Sequence, residues 1–186
     1  MKIVLASKSP RRRELLSRII ENFEIITKDV DESLPKGISL ERGVELLAVR
    51  KGDAVREIAP KEALVISSDT LVELDGVALG KPRDREDAYR MLSSLSGKCH
   101  NVHTGVAVHF RGKVFSGVHT SKVHFRDISD KEIYEYIDTG EPMDKAGAYG
   151  IQGLGGNFVK EFLGEFESIM GLSLTLTKSL IQKALA

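Results

Sequence analysis

Apolar and polar positions along the chain predict buried strands separated by amphipathic helices. Continuous apolar runs at Ile3–Leu5 and at residues 63–67 are typical of strands that are buried on both faces. Residues 101–126 predict two long strands joined around Arg111-Gly112-Lys113, and shorter strands are predicted at residues 23–27 and 158–163. The order of strands and helices indicates the α/β class.

Helix-capping and turn residues mark where the individual elements begin and end. Four good N-cap side chains stand before apolar residues at helical spacing: Ser9, Ser39, Asp84 and Ser129. We therefore predict helices over residues 10–20, 39–59, 84–95 and 129–140, and a closing helix over residues 174–185. The dipeptide Asp75-Gly76 predicts a two-residue hairpin.

Two of these helices have stripes that later bear on function. The first carries Leu15, Leu16, Ile19 and Ile20, and the long second helix carries an apolar face consisting of Val44, Leu47, Ala48, Ala54, Val55 and Ile58. Lys51 lies on that second stripe, so it either extends along its stem to solvent or reaches a buried anion.

Length, charge and cysteine content narrow the class of protein. The 186 residues are expected to form a single domain spanning residues 1–186, and 27 basic residues balance 27 acidic ones. No net field therefore favours nucleic acid or membrane surfaces, and neither is expected as a partner. The single cysteine, Cys99, cannot form an internal disulfide, and we expect a cytoplasmic protein.

A basic first helical turn follows the first strand. Ser9 and Pro10 open the helix, and Arg11, Arg12 and Arg13 come directly after them. Free backbone N–H groups, the positive end of the helix and guanidinium groups together suit a phosphate. A solvated basic turn is the alternative. Arg12 lies on the side of the apolar stripe, so it is the arginine expected to point into a site, and Arg13 is the least suited.

Carboxylates follow two of the predicted strands. Asp29, Asp31 and Glu32 come after the second strand, and Asp69 lies in Ser67-Ser68-Asp69-Thr70, which we expect at the carboxyl end of the buried strand. Ligands of open α/β sheets bind at such strand ends. Glu32 and Asp69 could therefore form a metal site together, although a solvated acidic turn also explains the first group.

A glycine-rich stretch interrupts the regular pattern at residues 140–156. Six glycines are interleaved there with charged and polar side chains, which is unusual for a flexible linker and predicts an extended functional loop. Gln152 lies within it. Earlier in the chain, Gly80-Lys81-Pro82 presents a lysine on a stiff turn, where simple solvation is the alternative to a functional role.

Four of these segments together resemble the Maf family of nucleoside triphosphate pyrophosphatases. The matching motifs are Ala6-Ser7-Lys8-Ser9-Pro10-Arg11-Arg12, Ser67-Ser68-Asp69-Thr70, Gly80-Lys81-Pro82 and the loop from Asp144 to Gly153. They occur in the family's order over essentially the whole chain. The glycine-rich loop and Thr70 resemble the branch that acts on dTTP and UTP. The segment Glu165-Phe166-Glu167 is more acidic than is usual in the family, and Ser173 stands where proline is common.

The resemblance implies an elongated central mixed β-sheet flanked by helices, with two lobes and a deep cleft, as in inosine triphosphatase-like proteins. It implies a homodimer that requires Mg²⁺ or Mn²⁺ and cleaves nucleoside triphosphates between the α and β phosphates. Carried over by position, the substrate-binding residues are Ser7, Arg11, Arg12, Lys51, Lys81 and Gln152. Glu32 and Asp69 would bind the metal and activate water, with Lys51 beside them as a catalytic residue. Gln152 could contact either a base edge or the phosphates.

Two other functions remain compatible with these residues. One is a nucleotide-binding regulator of cell division that does not cleave its ligand. The other is a purine-cleansing pyrophosphatase acting on inosine or xanthosine triphosphate.

Overall fold

The computed structural model describes every residue from Met1 to Ala186 and contains seven strands and six helices. The strands are β1 (Ile3–Leu5), β2 (Glu24–Ile25), β3 (Leu64–Leu74), β4 (Val77–Leu79), β5 (Cys99–Phe110), β6 (Lys113–Phe125) and β7 (Val159–Leu163). The helices are α1 (Pro10–Ser17), α2 (Leu40–Arg56), α3 (Arg85–Leu95), α4 (Asp130–Asp138), α5 (Phe166–Met170) and α6 (Leu174–Leu185). None of them combines the length and apolar character needed to cross a membrane.

The strands form a mixed sheet in the order β2-β1-β3-β5-β6-β7, with β4 paired to β3. Strand β1 runs parallel to both neighbours, with Leu5 opposite Ile25 and Ile66. The β3–β4 and β6–β7 pairs are antiparallel. The predicted α/β class with a central mixed sheet is therefore confirmed.

The chain divides into two compact units. Unit 1 consists of Met1–Thr70, Thr104–His119 and Gly171–Ala186, and unit 2 consists of Leu71–His103 and Thr120–Met170. In unit 1, Val4 and Val65 of the sheet pack with Val55 of α2. In unit 2, a larger core joins Val72 and Phe125 of the sheet to apolar residues of α3 and α4.

Local capping signals place the helix starts correctly. The side chains of Ser9, Ser39, Asp84 and Ser129 each accept a backbone N–H from the first turn of the following helix. The predicted hairpin at Asp75-Gly76 is also present, with both residues at positive φ, as a type I′ turn requires. These features depend on neighbouring residues alone, which is why the sequence predicts them.

Two helices end earlier than their apolar stripes suggested. Helix α1 ends at Ser17, so Ile19 and Ile20 lie beyond it, because the chain must turn back to place Glu24 beside Val4 in the parallel pair. Helix α2 ends at Arg56 rather than residue 59, and Ile58 is exposed. Pro60 disfavours helical geometry at the residue before it.

Strand β3 continues through the motif that was expected to end it. It extends from Leu64 to Leu74, so Asp69 lies in the interior of the strand and not at a carboxyl end. The polar side chains are tolerated because they have partners. The Ser67 hydroxyl donates to Ala48 O at 2.7 Å, and the Ser68 hydroxyl donates to Gly171 O at 2.9 Å.

The glycine-rich segment is compact rather than extended. Residues 140–156 contain three short 3₁₀ turns, at Glu141–Asp144, Ala146–Ala148 and the start of Leu154–Phe158. The expectation of an extended loop was therefore wrong, because backbone hydrogen bonds close these turns and the side chains of Tyr136 and Glu141 accept N–H groups of the segment.

Candidate active site

The start of α1 is fixed by two serines. Ser9 caps the helix, its hydroxyl accepting the Arg12 N–H at 3.4 Å, and Pro10 occupies the first helical position. The buried Ser7 hydroxyl accepts the Ser9 N–H at 3.2 Å. The loop after β1 is thus ordered by its own side chains, and it presents the first turn of α1 with its arginines.

Arg12 is held by residues from two distant parts of unit 1. Its Nε donates to Gly171 O at 2.8 Å, and its Nη2 donates to the Thr70 hydroxyl at 3.1 Å. Burial lowers the pKa of Arg12, and the charge of Asp69 opposes that shift. These two contacts therefore fix the orientation of the guanidinium, including its N–H groups that do not take part in them.

Gly171 supplies the backbone carbonyl that organises this corner. Its φ of 126° lies in the region that favours glycine, and a Cβ at this position would lie 3.4 Å from Arg12 Nε. The carbonyl accepts from both Arg12 and Ser68. Neither Gly171 nor its pairing with Arg12 was predicted, since the two residues are 159 positions apart in sequence.

The two neighbouring arginines differ from Arg12. Arg11 is half-buried, whereas Arg13 is exposed. Neither side chain forms an ion pair, so Arg11 is distinguished from Arg13 by its burial beside Arg12 and not by its lack of a partner.

Lys51 bridges the two candidate carboxylates. Its Nζ lies 2.5 Å from Asp69 Oδ1 and 2.7 Å from Glu32 Oε1. The Lys51 side chain is 19% exposed and that of Asp69 14%, while Glu32 is 63% exposed. Of the two interpretations of Lys51 that the sequence left open, the structure shows the one in which it reaches anions.

Helix α2 can place Lys51 on the sheet because glycines let it approach closely. A Cβ at Gly105 of β5 would lie 2.5 Å from Val44 O of α2, and a Cβ at Gly52 would run into the buried His109 ring. The Ser67 hydroxyl also donates to Ala48 O of the same helix. These contacts fix the height of α2 above β3, and with it the position of Lys51 relative to Asp69.

The carboxylates suit a divalent cation. Oxygens of Glu32 and Asp69 converge on a single positive group, Lys51 Nζ, at short range. Mg²⁺ is commonly held by one or two carboxylates together with substrate phosphates and water. No group of three or more His, Cys, Asp and Glu side chains is arranged to bind a metal.

The predicted residues are divided between the two units. Ser7, Arg11, Arg12, Glu32, Lys51 and Asp69 all belong to unit 1. Lys81 and Gln152 belong to unit 2, where Lys81 is exposed on the segment after β4 and Gln152 lies in a turn of the glycine-rich segment. Within unit 1 the structure brings together Glu32, Lys51 and Asp69, and it connects Arg12 to Thr70, the neighbour of Asp69.

Comparisons with known proteins agree with this arrangement of motifs. The profile of the family described as "Maf-like protein" matches residues 2–184. A protein of Clostridium beijerinckii named dTTP/UTP pyrophosphatase is 45% identical over 187 aligned positions, covering 98% of this chain and 99% of that protein. Proteins of the same name from Vibrio cholerae and Thermococcus kodakarensis are 47% and 46% identical, covering 98% and 94% of this chain and 97% and 92% of their own lengths.

A solved structure shares the fold at much lower identity. The Ham1 protein of Staphylococcus aureus superimposes with a TM-score of 0.51 at 17% identity, covering 100% of this chain and 98% of that one. At that identity the likeness concerns the fold alone.

Proposed function

Because the chain belongs to the Maf family, we propose that it is a nucleoside triphosphate pyrophosphatase that converts dTTP and UTP to the monophosphate and pyrophosphate. The observation that carries the proposal is the convergence of Glu32 and Asp69 on Lys51, beside the arginines of α1. The choice of dTTP and UTP follows the relatives of that name, which align with the chain from end to end.

In the proposed reaction, water attacks the α-phosphorus and the bond to the oxygen bridging the α and β phosphates breaks. Asp69 accepts the proton of the attacking water, and pyrophosphate leaves with the electron pair of the broken bond. Lys51 orients the Asp69 carboxylate through its 2.5 Å contact. It also places a positive charge where negative charge develops.

Arginine and serine side chains of unit 1 would bind the triphosphate. Arg11 has no competing bond, and the guanidinium of Arg12 is already oriented by Gly171 and Thr70. Ser7 lies in the loop that precedes the helix, where backbone N–H groups favour anions. For Lys81 and Gln152, substrate binding stays a prediction from the family resemblance.

Glu32 and Asp69 would hold Mg²⁺ or Mn²⁺. When bound, such a cation offsets phosphate charge and lowers the pKa of water. We also propose that the protein acts as a homodimer, as the family resemblance implies, and that it is cytoplasmic, as expected from its sequence.

A substrate panel tests the proposal directly. Pyrophosphate release is measured with Mg²⁺ for dTTP, UTP, CTP, ATP, GTP, ITP and XTP. We expect the highest kcat/KM for dTTP and UTP. Preference for ITP or XTP would identify a purine-cleansing enzyme instead, and binding without release from any nucleotide would identify the non-catalytic regulator.

A further inference from the structure

Gln152 lies in a tight turn that is held at one end by Tyr136 and at the other by Glu141, and these two side chains are hydrogen-bonded to each other. The Gly153 N–H donates to Gly150 O at 3.2 Å, which closes a four-residue turn with Gln152 at its third position. Glycines flank the turn on both sides, so its conformation depends on what holds it in place.

The first end of the turn is held by Tyr136 of α4. Its hydroxyl accepts the Gly150 N–H at 3.2 Å and donates to Glu141 Oε1 at 2.8 Å. The Tyr136 ring packs edge-on against Phe158 at 5.0 Å and is buried in the core of unit 2. The hydroxyl is therefore placed by a rigid ring.

The second end of the turn is held by the Glu141 carboxylate. Its Oε2 accepts the Leu154 N–H at 3.0 Å, and its Oε1 accepts the Gly155 N–H at 3.2 Å. Burial acts to raise the pKa of Glu141, but the hydrogen bonds from Leu154, Tyr136 and Gly155 outweigh it and the pKa is lowered. The carboxylate is thus ionised at neutral pH, and it accepts hydrogen bonds with both oxygens.

The glycines on the far side of the turn make this close approach possible. A Cβ at Gly153 would overlap the Glu141 carboxylate, and a Cβ at Gly155 would lie 2.7 Å from the Tyr136 hydroxyl and 3.0 Å from Gly150 N. Glycine therefore stands at two positions where the backbone comes close to Glu141 and Tyr136.

We propose that Tyr136 and Glu141 are positioning residues that hold the turn of Gln152 in the conformation required for substrate binding. The inference rests on the proposed function and on the predicted role of Gln152. Neither Tyr136 nor Glu141 needs to touch the substrate, because each acts through the backbone on either side of Gln152.

The test combines Tyr136→Phe with Gln152→Ala in a double-mutant cycle. Tyr136→Phe removes one hydroxyl oxygen and keeps the buried ring, so the core is preserved. We expect it to lower kcat/KM for dTTP about tenfold in the wild-type background. In the Gln152→Ala background the same change should have an effect of less than about twofold. Equal losses in both backgrounds, or no loss from Gln152→Ala alone, would overturn the proposal.

Tyr134→Phe is the matched control. Tyr134 lies on the same helix, is exposed, and stacks on Tyr89, while its hydroxyl makes no hydrogen bond. It should retain wild-type kcat/KM. Glu141→Gln removes the charge and one acceptor at similar size, and it should resemble Tyr136→Phe in the cycle.

Two readouts keep the test independent of catalysis. Affinity for a dTTP analogue with a methylene group between the α and β phosphates should show the same non-additivity, even if the chain binds nucleotide without cleaving it. Amide hydrogen exchange across residues 149–156 should be about tenfold faster in Tyr136→Phe. Unchanged exchange in that segment would contradict the positioning role, whereas failure of the proposed function alone would abolish pyrophosphate release in the wild type and leave the exchange result intact.

Discussion

At the scale of single residues, Lys51 is distinguished by having two carboxylate partners. A buried lysine stem with its ammonium between Glu32 and Asp69 fixes both acids relative to the sheet. Breaking a partly buried charge network costs more than breaking a surface pair, because the remaining charges lose their partners. The three side chains should therefore behave as one unit in mutagenesis.

Asp69→Asn tests the role of general base. The substitution preserves shape and removes the proton acceptor, so at saturating Mg²⁺ kcat should fall by about 10²–10⁴-fold with a smaller change in KM. Steady-state pyrophosphate release measures both constants. Asp29→Asn is the control, because Asp29 is exposed and pairs only with the exposed Lys8. Near-wild-type turnover of Asp69→Asn with normal metal binding would show that another group takes the proton.

A hydrogen-bonded polar cluster lies on the sheet of unit 2. Glu73 Oε2 lies 2.6 Å from Nε2 of the buried His103, whose Nδ1 lies 2.8 Å from the Thr120 hydroxyl. The hydrogen bond from His103 lowers the pKa of Glu73, against a smaller opposing effect of burial. The ionised carboxylate is thus the form that the folded protein stabilises.

Glu73→Gln should reduce stability in a pH-dependent way. A carboxyl with a lowered folded-state pKa contributes stability above its unfolded pKa, and that contribution is lost as pH falls through the folded value. We expect a loss of about 1–3 kcal/mol in the free energy of unfolding at pH 7, shrinking below about pH 4. Urea denaturation of both proteins at pH 7 and below about pH 4 measures the difference, in which the titration of groups that do not contact Glu73 cancels. An equal loss of unfolding free energy at pH 7 and below about pH 4 would contradict a stabilising role for the ionised Glu73 carboxylate.

At the scale of elements, helix α4 combines a capped first turn with the buried ring of Tyr136. Ser129 and Glu132 form a complete capping box at its start, and Glu132 also accepts from Arg126 at 2.7 Å. The bonds from Arg126 and Ser129 lower the pKa of Glu132 to about 2. The Glu132 carboxylate of the capping box therefore stays ionised throughout the neutral pH range. It stabilises the first turn of the helix that carries Tyr136.

Ser129→Ala should destabilise the protein without changing its chemistry. Loss of an N-cap costs about 1 kcal/mol, which for a chain of this size lowers Tm by about 2–4 °C. Ser179→Ala is the control, since Ser179 lies inside α6 and caps nothing. Thermal denaturation compares the two, and kcat/KM measured well below Tm should be unchanged in both. A Tm equal to that of the wild type would mean that water replaces the cap at no cost.

At the scale of the whole molecule, the chain aligns with its relatives over nearly its entire length. The named pyrophosphatases cover 94–98% of it, while the Ham1 protein shares the fold at 17% identity. A fold can thus persist when most side chains differ, whereas the residues around Lys51 must be compared individually to infer chemistry.

We expect activity of the whole protein to depend on a divalent cation. Two carboxylates are a sparse donor set, so the cation should bind together with the triphosphate rather than permanently. Treatment with a chelator should abolish pyrophosphate release, and added Mg²⁺ or Mn²⁺ should restore it. Full activity after exhaustive chelation would exclude a metal-dependent mechanism.

The sequence by itself determined the parts of the molecule that depend on adjacent residues. N-cap side chains, Pro10 at the first position of α1 and the Asp75-Gly76 turn act over one to four residues, and their predicted positions are confirmed. The motifs also showed which residues to consider as a site. Lys51 could be singled out by its place on the apolar stripe of the second helix, and Glu32 and Asp69 by their places after predicted strands.

Only the tertiary structure decided where elements end and which distant groups meet. Ile19 and Ile20 match a helical stripe, yet α1 stops before them because the chain must return to the sheet. Likewise, Gly171 holds Arg12 and Ser68, and Glu141 holds the turn of Gln152, through backbone groups that carry no sequence signal. Such contacts depend on how the chain packs, because every residue offers the same carbonyl and nearly every one the same N–H.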